Sequence, residues 1–210
     1  MHRENSNMIW ERCCTCREDA FEAAAGRASR IELCERLEVG GVTPSERNIS
    51  LSMEAGLPVN VLVRPRGGNF VFSKGEIDQM LESIRLCGRH RVNGVVIGAL
   101  TADGNVDVPV MRLLASEAAE AGLQVTFHRA FDECRDPFEA LEDIIRLGCS
   151  RILTSGHATA APEGAVVIKE LVGQAGDRII VMPGSGVTPD NVRMLAEVTG
   201  ASEFHGTKLY

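Results

Sequence analysis

The chain has 210 residues, of which 44% are hydrophobic and 24% charged, with a formal net charge of −7. That suits one soluble domain and argues against nucleic-acid or acidic-membrane partners, which require a basic face. No apolar run nears the ~20 residues of a bilayer span. The N-terminus lacks the apolar core of a signal peptide. The seven cysteines are odd in number and scattered, which points to a reducing cytoplasm and not to a disulfide framework.

Short β-branched runs alternate with longer helix-like stretches along the whole chain. The first strand is expected at Met8–Cys14, followed by a helix at Glu18–Ala25. Next come Arg30–Cys34 with Ser45–Ala55, Pro58–Arg64 with Lys74–Cys87, and Gly94–Gly98 with Val108–Ala121. The second half repeats the unit as Gln124–His128 with Asp136–Leu147, Arg151–Thr154 with Glu163–Gly173, and Arg178–Met182 with Thr188–Thr199. A last strand lies at Ser202–His205. Thr43-Pro44-Ser45, Asp136-Pro137 and Thr188-Pro189-Asp190 read as helix starts. Gly56, Gly122, Gly148 and Gly200 read as helix stops.

Eight such units predict a single α/β domain over residues 1–210, a (β/α)8 TIM-like barrel. An open doubly wound sheet would carry a glycine fingerprint after its first strand, where this chain has Cys13-Cys14-Thr15-Cys16. Five residues follow His205, so the last helix is expected to be missing or shortened. Outer-face side chains such as Phe204 would then be bare. A homodimer is the expected remedy, with the partner or Met1–Asn7 over the gap.

The strands end in polar residues, and in this fold those ends form the working mouth. Period-two alternation puts Glu32 and Cys34 inside the barrel, opposite to Ile31 and Leu33, and puts Glu11 and Cys13 beside them. Two thiols on neighbouring strands suit a soft metal such as Cu(I); they equally suit small buried hydrophobes. Inward glutamates need partners, and Arg64 on the next strand is the expected partner of Glu32.

In Arg64-Pro65-Arg66-Gly67-Gly68, two arginines flank a rigid turn and suit an anion. Pro183-Gly184-Ser185-Gly186 precedes the helix expected at Thr188, where free amides attract anions, and His205-Gly206-Thr207 supplies a partner loop. His128 and His205 face the lumen by alternation with Phe127 and Phe204, and a histidine there can act as acid or base. Asp132 either orients a ring or caps a helix. An enzyme acting on a small anionic or phosphorylated substrate would use Glu32, Arg64 and His128 for catalysis. Its anion contacts would come from Arg66, Arg129, Ser155, Gly184, Ser185, Gly186, His205 and Gly206.

Several stretches, in order and over nearly the full length, resemble the CutC family, named for copper homeostasis. They are Arg30–Cys34, Gly40–Ser45, Arg64–Gly68, Thr126–Asp132, Leu153–Gly156 and Glu203–His205. The resemblance implies a TIM-type barrel, a cytoplasmic setting, frequent dimers and an association with copper, with Cys13 and Cys34 at the positions proposed for Cu(I). Asn69 and Phe72 stand where the family usually has aspartate and tyrosine, and Ser185 where it usually has glycine. The family also tends to continue past the strand ending at His205.

Overall fold

Eight short strands run parallel, each followed by a helix as far as the seventh: β1 (Ile9–Cys14), β2 (Arg30–Leu33), β3 (Val59–Leu62), β4 (Gly94–Ile97), β5 (Gln124–Phe127), β6 (Arg151–Thr154), β7 (Ile180–Pro183) and β8 (Glu203–Gly206). The helices are α1 (Arg17–Ala25), α2 (Glu46–Met53), α3 (Lys74–His90), α4 (Val108–Glu120), α5 (Pro137–Arg146), α6 (Ala165–Ala175) and α7 (Val192–Thr199). This computed structural model describes residues 8–208. Hydrogen-bonded neighbours follow the order β7-β6-β5-β4-β3-β2-β1-β8, the ring of a TIM-like (β/α)8 barrel. Among the described residues no ladder joins β7 to β8, although the two lie side by side.

The alternating pattern divides the apolar residues into two bodies. Leu33, Val61, Val95 and Val125 stand in register across β2 to β5 and belong with Phe127 and Ile152 to the main core between sheet and helices. Among the described residues, Cys13, Cys34, Leu62 and Val96 form a small second apolar cluster inside the barrel. β-branched residues fit the pleated, doubly covered sheet, so the outer belt is filled by packing and the lumen is left to polar groups.

Caps fix several helix starts. Ser45 accepts from the Asn48 amide, Asp107 from Val110, and Asp136 from Phe138 and Glu139. Ser73 and Glu76 form a reciprocal capping box on α3. The Thr188-Pro189-Asp190 signal is used differently from the expectation. The Asn191 side chain accepts from the Thr188 amide and donates to the Gly186 carbonyl, which closes a turn, and α7 begins only at Val192.

Phe204 is also corrected. It is fully buried in the main core, so Phe204 itself offers no bare surface to a partner. Met1–Asn7, expected over the gap, lie outside the described residues, as do Leu209 and Tyr210. Among the described residues, no helix is long and apolar enough to cross a membrane.

Candidate functional site

The lumen is built in layers. Toward the amino ends of the strands, Arg30 donates to Glu11 and to Glu203, both at 2.5 Å, and its second nitrogen lies 3.2 Å from the Met182 sulfur. Arg151 donates to Glu203 and Gln124, both at 2.8 Å, and Asn60 donates to Glu11 at 2.9 Å. Side chains from seven strands meet here, which is possible only inside the barrel. Each buried charge has a hydrogen-bonded counter-charge, as a low-dielectric site requires.

One layer up, the register Glu11↔His205 on β1 and β8 brings the His205 Nδ1 to 2.9 Å from Glu11 Oε1 and 3.7 Å from Glu32 Oε2. Burial alone would discharge His205, but Glu32, Cys13 and Glu11 outweigh it and hold the imidazole well above its usual pKa. Burial pushes in the opposite sense on Glu11 too, yet the bonds from His205 and Arg30 keep its carboxyl below the ordinary range. Glu32 is raised, first by burial and then by the neighbouring Glu11. Its Oε2 accepts no hydrogen bond.

The thiols of Cys13 and Cys34 face each other at 3.7 Å. Their shared hydrogen bond, then burial, push the Cys13 thiol far up. The three donor atoms of Glu11, Glu32 and His205 lie within 4.8 Å of one another. Nδ1 of His205 is already engaged by Glu11, however, and Glu11 by Arg30 and Asn60, so this trio is compensated from within.

At the carboxyl ends the chain leaves polar atoms open. Arg64 donates to the carbonyls of Val39, Gly40 and Gly41 at 3.3, 3.0 and 3.0 Å and to Gly68 at 2.6 Å, while its Nε has no partner. Its guanidinium lies 4.7 Å from the Phe70 ring centre. His128 packs on the same ring, centre to centre at 4.9 Å. The Ala130 amide donates to its Nδ1 at 3.1 Å, so the ring proton sits on Nε2, which has no partner. Burial, and then the charge of Arg64, push the His128 pKa down to about 3. It is therefore a neutral donor near neutral pH and not the acid or base expected of it.

Cys13, Glu32, Cys34, Arg64, His128, Arg129 and His205 line one cavity of about 140 Å³, with Leu37, Gly40, Leu62, Phe70 and Leu153. The other expected residues stay outside it. Arg66 turns to Glu76 at 2.5 Å and to the carbonyls of Asn69 and Val71. The Gly184 amide is spent on the Thr154 carbonyl. Ser185 donates its hydroxyl to the Thr159 carbonyl, and Gly206 lies within β8 against Arg12, so the Gly184 amide and the Ser185 hydroxyl are already engaged within the chain.

Asp132 neither orients a ring nor caps a helix. It accepts from Thr154, from the amides of Ser155 and His157, and from Arg129, tying the loop after β6 to the one after β5. Ser155 is enclosed in this tie, accepting from Arg129 at 3.0 Å and donating to the Ala158 carbonyl at 2.6 Å. The expected Glu32–Arg64 pair does not form: His205 takes that place beside Glu32. Arg30, Arg151 and Glu203 were missed. Arg30 and Glu203 sit two residues before Glu32 and His205, so the same alternation carried to the strand starts finds them. Phe70 sits in a loop, where no periodicity marks it.

A model of the CutC family matches residues 8–210. The chain belongs to the CutC family. A family protein CutC of Parabacteroides distasonis is 49% identical over 199 residues, 94% of this chain and 81% of that protein. One from Chromobacterium violaceum is 45% identical over 200 residues, 95% of this chain and 80% of that protein. The structure of a "Putative Copper Homeostasis Protein CutC" from Streptococcus agalactiae superposes with a TM-score of 0.91 at 34% identity, covering 97% of this chain and all of that one. A deoxyribose phosphate aldolase from Aeropyrum pernix has a TM-score of 0.71 at 12% identity, over 97% of this chain and 86% of that one. That second likeness is one of fold alone.

Proposed function

We propose that this CutC-family chain is a cytosolic copper homeostasis protein that holds Cu(I) between Cys13 and Cys34. The observation that carries this reading is the pair of facing thiols, 3.7 Å apart, on neighbouring strands at the bottom of the mouth cavity. Thiolates suit a soft cation, and no disulfide ties up either sulfur, in keeping with a reducing compartment. Cys13 and Cys34 would hold the metal through their two sulfurs. The bond from Cys34 and burial hold the Cys13 thiol protonated in the absence of metal, so uptake releases a proton and strengthens as pH rises.

The test is an anaerobic Cu(I) titration against a competing chelator. The wild-type chain should take up one Cu(I) with proton release, Cys16→Ser should match it, and the double variant Cys13→Ser/Cys34→Ser should lose stoichiometric uptake. Uptake undiminished in the double variant would move the metal elsewhere. Arg64, His128 and Arg129 take no part in this reading.

A further inference from the structure

Three arginines are buried in or at the lumen. Arg30 and Arg151 are each held by carboxylates. Arg64 is 6% exposed and makes no ion pair with any described residue. Its partners are four main-chain carbonyls and an aromatic face. Carbonyls accept hydrogen bonds but do not neutralise a charge, and Glu133 acts on the guanidinium only from beyond ion-pair distance; a buried cation without a contacting counter-ion is costly. The guanidinium also keeps its Nε–H free.

A second free donor faces the same cavity. His128 is 5% exposed, and its tautomer is fixed by the Ala130 amide on Nδ1, so Nε2–H is the atom left without a partner. Both groups pack on Phe70. One cation and one neutral donor match a single negative charge. A phosphate dianion would need more, and the remaining cation at the rim, Arg129, is already paired with Asp132. The wall also carries Leu37, Leu62 and Leu153, together with Cys13, Cys34 and the Glu32–His205 pair, whose opposite charges offset each other. The cavity of about 140 Å³ is close to the roughly 150 Å³ that holds one benzene.

We infer that the barrel mouth binds a small aliphatic monocarboxylate, whose oxygens accept from Arg64 Nε–H and His128 Nε2–H and whose hydrocarbon lies against Leu37, Leu62 and Leu153. Its anion contacts involve neither thiol, although Cys13 and Cys34 line the same cavity, so the binding is tested without copper.

The experiment titrates the reduced, chelator-treated protein with butanoate, with butanamide as the neutral isostere and with inorganic phosphate. Proton–nitrogen spectra follow the side-chain signals of Arg64 and His128. Butanoate should saturably shift Arg64 Nε–H and His128 Nε2–H, with butanamide and phosphate moving neither. His128→Asn offers the Ala130 amide a replacement acceptor but withdraws the donor from the cavity, and should weaken butanoate about tenfold or more. Butanamide binding as tightly as butanoate would overturn the charge argument. Phosphate shifting both signals while butanoate leaves them unmoved would overturn the carboxylate assignment. Silence from all three probes at both side chains in the wild-type chain would overturn the site itself.

Discussion

Arg30 on β2 and Arg64 just beyond β3 are buried to nearly the same degree, at 4% and 6% exposed. One is clasped by Glu11 and Glu203; the other makes no ion pair with any described residue, and Glu133 acts on it only from longer range. The contrast extends to their layers. Toward the amino ends, Arg30, Arg151, Glu11, Glu203, Asn60 and Gln124 satisfy one another. At the mouth, Arg64 Nε, His128 Nε2 and Glu32 Oε2 make no hydrogen bond, and Glu32 Oε2 meets His205 only at 3.7 Å. Buried polar atoms are normally paired, so a fully paired layer is explained by the fold itself. At the mouth the fold leaves the Arg64 and His128 donors unspent on one cavity wall, and these are the atoms on which the proposed carboxylate rests.

The comparison is broken most directly at its paired end. Arg30→Met should strand Glu11 and Glu203 without their shared cation and cost about 3–5 kcal/mol in urea unfolding. A loss below about 1 kcal/mol would mean that the lower layer is not the barrel's electrostatic frame. At the mouth, the backbone is shaped around one ring. A Cβ added to Gly98 would meet the His128 ring at 2.6 Å. Gly98→Ala should therefore cost about 1–3 kcal/mol and displace the His128 side-chain signals, while leaving those of Arg30 and Arg151 in place.

The smallest effect is read from pH. The folded-state pKa of His128 is lowered from 6.5 to about 3, so the unfolded chain takes up the proton first. Stability from this group is complete above 6.5 and drains away as pH falls toward 3. The wild-type chain should lose roughly 1 kcal/mol over the first pH unit below that ordinary value, and His128→Asn should flatten the acid slope. An unchanged slope would mean that the ring is charged in the folded state, and the neutral-donor reading of the mouth would go with it.

Much of this contrast was legible in the sequence where the rule is local. Alternation within a strand put Glu11, Cys13, Glu32, Cys34, His128 and His205 on the inner face, since parity needs only the strand itself. Partnership was not local. Glu32 was matched to Arg64 because they are neighbours along the chain order of strands, yet His205, 173 residues away, is the group that reaches it. The register of β1 on both β2 and β8 decides that, and no short motif encodes it. The same holds for the 184–186 turn, whose amides suit an anion until the Thr154 carbonyl is seen to hold one of them. Phe204 was assigned correctly to the outer face but wrongly to water, because helix count is a poor measure of cover.

The missing ladder between β7 and β8 changes what closes this barrel. The main-chain hydrogen bonds form a belt with two free ends, and the fastening across them is ionic: Glu203 on β8 is gripped from β6 by Arg151 and from β2 by Arg30, which also touches Met182 on β7. Glu203 is the buckle. Amide hydrogens along the facing edges of β7 and β8 should exchange with solvent before those of β2 to β5, and loosening the buckle should let the ring breathe at that one seam while the remaining strands stay locked to their neighbours.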